Sequence, residues 1–240
     1  MISFFRTIFY KPLYNFLIHL IGILPSGSVG LAIIIITFLV KLILLPFNIK
    51  TVVSQIQLKK VQPEIDAIKE NVTDKTEQAR KTMELYKKYG VSPFSGCLPI
   101  LIQIPVIISL YYVFFQGLTF DASLLYTSVS LPETVNSMFF GADLAGKSIG
   151  LALLAGVSQY FQIAIVNKRT ATPKGTGMQA QITKTMQFQM KYILPIFITV
   201  IAYQISGAIA LYWIVNNVIT VIIELIVTKK YADKPLVAVL

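Results

Sequence analysis

The chain has 240 residues, of which 55% are hydrophobic and only 13% charged, with a net charge of +10. A soluble domain of this size carries about twice that share of charge, so a soluble globular enzyme is excluded and an all-α polytopic membrane protein is expected. One cysteine (Cys97) and one histidine (His19) exclude an internal disulfide and a Cys/His zinc cluster.

Residues 1–27 mix Phe4, Phe5, Phe9, Tyr10, Tyr14 and Phe16 with Arg6 and Lys11. The apolar run from Leu13 to Leu24 is too short to span and holds Asn15 and His19, so an amphipathic helix in the membrane interface is expected. Without an A-x-A site, no cleavable signal is expected. Pro25-Ser-Gly-Ser turns the chain into a first span, 28–50. There Leu31 to Leu45 is apolar except for Thr37 and Lys41. A charge at bilayer depth is costly. Thr37, Lys41 and Asn48 share one helical face, so Lys41 either lines an aqueous cavity or snorkels to the interface. The apolar residues between Lys41 and Lys50 put it about two turns deep, which weighs against snorkelling.

Residues 51–92 interleave eight Lys/Arg with six acids. Val61, Ile65 and Ile68, then Met83, Leu85, Tyr86 and Tyr89, recur at helical spacing. Asn71-Val-Thr-Asp breaks the pattern, Asp74 with Glu77 makes a capping box, and Gly90 is a stop. A helical hairpin outside the membrane follows, although its charge is equally that of any solvated helix face. Residues 94–116 form a second span, kinked by Pro99 and Pro105 around Gln103. A loop, 117–147, precedes a third span, 148–166, with Ser158, Gln159 and Gln162. Residues 167–191 are basic, carry Thr-Pro-Lys-Gly-Thr-Gly, and read as a flexible loop. A fourth span, 192–206, is short against ~30 Å of hydrocarbon unless it begins upstream. Ser206-Gly207 separates it from a fifth, 208–228, where Tyr212, Asn216, Thr220 and Glu224 recur every four residues beside Trp213 and Asn217. Residues 229–240 are a basic tail.

Residues 51–92, 168–191 and 229–240 hold sixteen Lys/Arg, against one in 117–147. The positive-inside rule puts those three segments in the cytoplasm and the N-terminus outside. Any single polar residue within a span can be helix–helix glue, worth under ~2 kcal/mol. Taken together, Lys41, Thr37, Gln103, Gln159, Gln162, Tyr212, Asn216 and Asn217 point to a shared hydrated groove. No Ser/His pair, acidic dyad or nucleotide loop is present, so neither catalysis nor a cofactor is expected.

VKLILLPFNIK, the stretch ELYKKYGVSPFSGCLPILIQIPVIISLYY, LLAGVSQYFQ and YILPIFITVIAYQISGAIALYWIVNNVIT resemble, in order, the YidC family of membrane-protein insertases. That resemblance implies five transmembrane helices enclosing a groove open to cytoplasm and lipid, in a bacterial cell membrane. It implies nascent membrane proteins as substrates, with the ribosome and the Sec translocon as possible partners and no specific nucleic-acid binding. The family's groove cation falls on Lys41, where most members carry arginine, and its other groove positions on Gln162 and Trp213. The chain is similar to the short form found in many Gram-positive bacteria. Two other readings use the same groove. A lipid scramblase needs a polar path open to lipid. A small-solute transporter would bring internal repeats or paired intramembrane acids, whereas the only such acid is Glu224, read as interfacial because Lys229 is near.

Overall fold

A computed structural model of the chain describes residues 5–92, 98–114, 120–168 and 178–234. Regular structure there is overwhelmingly helical. A π-helical turn, Arg6–Tyr10, runs into α1 (Lys11–Ile23), followed by α2 (Val29–Ile43), α3 (Leu45–Asn71), α4 (Lys75–Tyr89), α5 (Leu98–Phe114), α6 (Ile149–Asn167) and α7 (Met178–Phe188). A second π-helical stretch, Gln189–Ile193, leads to α8 (Leu194–Ile205) and then α9 (Gly207–Tyr231). Among the described residues, three helical runs are long and apolar enough to cross a bilayer: Ile149–Asn167, Gln181–Ile205 and Gly207–Tyr231. A fourth qualifies if α2 and α3 count as one broken span.

The chain divides into two compact units. The first comprises Met1–Leu44, Ile100–Tyr160 and Leu194–Ile219. Its core joins Leu17, Ile18 and Ile21 of α1 to Val29, Ile33 and Ile36 of α2. Leu110 and Phe114 of α5, Ala152 and Ala155 of α6, Ile198 and Ala202 of α8, and Ala208 to Trp213 of α9 complete it. Small residues let the helices approach closely. A Cβ on Gly156 of α6 would collide with Thr199 Oγ1 and stand 3.0 Å from the carbonyl oxygen of Pro195, both on α8.

The loop after α5 caps one end of this bundle. A short antiparallel hairpin pairs β1 (Met138–Phe139) with β2 (Ala142–Asp143). Helix N-termini leave amides without partners inside the helix, and here the loop accepts them. Val29 N–H donates to Asn136 O (3.1 Å), Gly207 N–H to Gly146 O (2.8 Å) and Ala208 N–H to Leu144 O (2.9 Å). Ser28 Oγ also accepts from Leu31 N–H at the start of α2. Helix α1 is tied to the same loop. Asn15 Nδ2 donates to Leu124 O (3.0 Å), Asn15 Oδ1 accepts from Tyr126 N–H (2.6 Å), and Tyr14 Oη accepts from Asp121 N–H (2.6 Å).

The second unit comprises Leu45–Pro99, Phe161–Ile193 and Thr220–Leu240. Val52 and Ile56 of α3 pack with Val227 of α9, against Ile223 and Tyr231. The α3–α4 hairpin is fastened by Tyr89 Oη donating to Glu64 (2.8 Å) and by Gln78 donating to the carbonyls of Lys69 and Val72. Gly90 stops α4 in the left-handed conformation (φ 59°). Gly90 N–H reaches Lys87 O and Val91 N–H reaches Tyr86 O, while Val91 is buried, which is a Schellman ending. Lys59 Nζ donates to Lys168 O and Lys60 Nζ to Lys234 O, each at 2.6 Å.

Three expectations change. The helix of the expected first span stops at Ile43, and α3 runs without interruption through residue 50 into the hairpin. Pro46 explains the break, because it offers no N–H to Leu42 O four residues back; that carbonyl is met instead by the Leu44 amide, which also keeps its helical bond to Val40 O. Within the expected loop 167–191, the chain is helical from Met178, and that helix lengthens the fourth span upstream. Asp74 does cap α4, accepting from Thr76 N–H at 3.0 Å, but Glu77 reaches forward to Lys81 (3.1 Å) rather than back. Glu224 of α9 is only 8% exposed.

Candidate functional site

The expected lysine stands in a cavity. Within the first unit, α1, α2, α5 and α9 line a small open pocket that brings together Thr37, Lys41, Gln103, Tyr212 and Asn216. The rest of the lining is aliphatic, from Leu13, Ile36, Val40, Leu44, Val106 and Leu110. Thr37 and Lys41 are four residues apart on α2 and share its face. Thr37 Oγ1 donates to Ile33 O at 2.6 Å, which satisfies a hydroxyl that is otherwise buried. Gln103 of α5 donates to the hydroxyl of Tyr212 on α9. Tyr212 is 3% exposed, so this bond gives a buried phenol its partner.

Lys41 sits twelve residues beyond Val29, roughly 18 Å along α2 at 1.5 Å per residue. It also lies in the last turn of that helix, where carbonyl groups lacking intrahelical partners make a cation favourable. Pro46 therefore does two things. It ends α2, and by doing so it places a helix C-terminus beside the half-buried lysine.

Not every polar residue singled out in the sequence joins this cavity. Asn216 lines it, whereas its neighbour Asn217 is 2% exposed and donates to Ser158 Oγ of α6 at 3.0 Å. Trp213 is 5% exposed and belongs to the apolar core. Gln159 is half-buried on α6 and does not line the cavity; Gln162, also half-buried, lies on the stretch of α6 assigned to the second unit. The aliphatic wall, including Leu13 from α1, was missed. An aliphatic residue on a greasy helix carries no mark in the sequence that separates a cavity wall from a lipid contact.

A bundle of apolar helices, several of them long and apolar enough to cross a bilayer, with a lysine among mixed polar and aliphatic side chains, defines a helical membrane protein. The chain belongs to the 60Kd inner membrane protein family, whose profile matches residues 22–234. A membrane protein insertase YidC from Clostridium tetani is 38% identical over 213 residues, covering 88% of this chain and 86% of that one. One from Fusobacterium nucleatum is 34% identical and covers 93% of this chain and 98% of the relative. Among solved structures, an active YidC insertase crystal structure with its first transmembrane domain resolved superposes with a TM-score of 0.54 at 23% identity. It covers 96% of this chain and 47% of that one. That likeness establishes the shared fold.

Proposed function

We propose that this chain is a membrane-protein insertase that admits short hydrophilic segments of nascent membrane proteins into the Lys41 cavity and releases their apolar segments into lipid. One observation carries the reading: Lys41 shares its cavity with Thr37, Gln103, Tyr212 and Asn216. Five spans enclose it, with the N-terminus outside and the C-terminus in the cytoplasm, in keeping with the loop charges.

The energetics follow from burial. Moving a polar segment through hydrocarbon costs several kcal/mol per unsatisfied group, and a hydrated cavity that offers polar partners removes part of that cost. Lys41 attracts acidic side chains in the entering segment, more strongly than in bulk water because the local dielectric is lower. Lysine provides this as a compact point charge without the planar fork of arginine, so the attraction does not depend on bidentate geometry. Transfer of the substrate's apolar segment into lipid drives the step, and no nucleotide is consumed. The basic, amphipathic α3–α4 hairpin receives the substrate on the cytoplasmic side. Ribosome and Sec contacts, where they occur, use the basic cytoplasmic segments.

The test is insertion of a single-span protein with an acidic outer tail into vesicles holding this protein, as wild type and as Lys41→Arg, Lys41→Ala and Lys41→Glu. The arginine variant inserts like wild type, alanine is several-fold slower and glutamate slower still. Equal insertion by all four removes Lys41 from the mechanism.

A further inference from the structure

The tip of the β1–β2 hairpin bears an aromatic ring that the fold leaves uncovered. Phe140 is 95% exposed, the most exposed large apolar side chain among the described residues. Its backbone is left-handed (φ 47°), as is that of Gly141 (φ 79°). Left-handed backbone costs a non-glycine residue roughly 1–2 kcal/mol, so the hairpin holds this ring outward against a local preference.

Neighbouring contacts fix the depth of the ring. Phe139, the residue before it, lies directly against Gly30, where even a Cβ would collide with its ring. The Phe139 and Phe140 rings meet edge-to-face with centroids 4.7 Å apart. Gly30 belongs to the first turn of α2, so Phe140 is carried at the level where α2 begins. The hairpin cannot swing away from that level, because its flanks hold the first amides of α2 and α9 at Asn136, Leu144 and Gly146. Met138 on β1 (54% exposed), Leu31 on the first turn of α2 (40%) and Ile149 at the start of α6 (66%) are further uncovered apolar side chains near these helix starts. If α2 and α9 cross a bilayer, these side chains stand where its hydrocarbon begins, and lipid is the apolar phase that would cover them.

We propose that the hairpin tip is a membrane anchor, with Phe140 seated among the headgroups and upper acyl chains of the leaflet on which α2 and α9 begin. Aromatic rings favour this zone, and interfacial apolar groups there penetrate roughly 5–10 Å. With the orientation given above, this is the outer leaflet. The site is independent of the insertase reading, since it depends only on α2 and α9 being membrane helices.

The experiment is fluorescence quenching in phosphatidylcholine–phosphatidylglycerol vesicles. A polarity-sensitive dye is attached to Phe140→Cys in a Cys97→Ser background, with Glu133→Cys, in the same loop and also exposed, as the comparison. The proposal expects blue-shifted emission at position 140, quenched several-fold more by nitroxide-bearing lipid than by aqueous iodide, and the reverse at 133. Iodide quenching at 140 equal to that at 133, without lipid quenching, overturns it. Equal lipid quenching at both sites also overturns it, because the loop would then lie on the membrane as a whole. Intact α2–α9 packing is checked by comparing thermal unfolding of the labelled variants with wild type, and insertion activity is read separately.

Discussion

Asn15→Leu tests how α1 is held. Asn15 is 2% exposed, and its amide makes two contacts with the loop after α5, one to Leu124 O and one from Tyr126 N–H. A third bond, to Lys11 O at 2.9 Å, stays within the helix. Leucine matches asparagine in size and removes all three bonds. An unsatisfied buried polar group costs about 1–3 kcal/mol. Leu124 is buried and its carbonyl bears that cost in full, whereas Tyr126 is exposed and its amide recovers part of the loss from water. The expected destabilisation is therefore about 3 kcal/mol. The readouts are thermal unfolding in micelles and the rate of protease cleavage near Tyr126. Tyr14→Phe, which frees the Asp121 amide, should cost about 1 kcal/mol. The double variant should lose less than the sum, because both bonds latch the same two segments. Leu13, two residues from Asn15, lines the cavity, so Asn15→Leu also slows insertion. Unchanged unfolding and cleavage in Asn15→Leu would refute the latch.

Two further predictions concern packing and pH. Gly156→Ala places a Cβ against Thr199 Oγ1, whose own bond to Pro195 O (2.9 Å) must then yield. A loss of about 1–3 kcal/mol is expected in unfolding, whereas Gly150→Ala, with open space around its Cβ, is neutral or stabilises by up to about 1 kcal/mol. The Asp143 carboxyl is held below its ordinary value of 3.8 by the Ser137 hydroxyl and then by the Ala145 amide, 3.0 Å away. A depressed carboxyl stabilises the fold above its unfolded value, and that contribution disappears as pH falls through the folded one. Hydrogen exchange at Ala145, corrected for its intrinsic rate, should therefore accelerate below 3.8 and lose that dependence in Asp143→Asn. The same dependence in both proteins would exclude the carboxylate as its origin.

What could be read from the sequence was local. Asp74, Gly90 and the Ser206-Gly207 break act within a few residues of themselves, and the structure places a helix end at each. Thr37 and Lys41 are paired by helix periodicity alone. The Gln103–Tyr212 bond joins residues 109 apart, and no periodicity encodes such a partner. The same holds for Asn15, visible as a polar residue in an apolar run but not as a clasp on Leu124. Pro46 was visible but ambiguous, because proline is compatible with the first turn of a new helix as well as with an interrupted one. The helix starting at Met178 was hidden by the glycines and proline before it, although Gln, Ala, Lys and Met are all good helix formers. Phe140 gave no signal, since only the hairpin's left-handed tip makes an ordinary phenylalanine conspicuous.

Lys41 offers a prediction in which stability and activity move in opposite directions. A lysine in the middle of a membrane helix costs ~2.5–3.5 kcal/mol on insertion scales. Its place at the end of α2, beside Thr37 and Asn216, recovers only part of that, since a helix C-terminus contributes at most about 2 kcal/mol to a cation. Lys41→Met fills similar volume without charge, so the folded protein should be as stable as wild type or about 1 kcal/mol more stable. Insertion of an acidic-tailed substrate should fall several-fold over the same comparison. A substrate with a neutral tail should be affected much less, because the attraction lost is electrostatic. Unfolding in micelles and insertion into vesicles, measured on the same preparations, decide the matter. If Lys41→Met loses stability and both substrates slow equally, the lysine is a structural support of the bundle. If stability holds while only the acidic substrate slows, the Lys41 charge is kept for what enters the cavity.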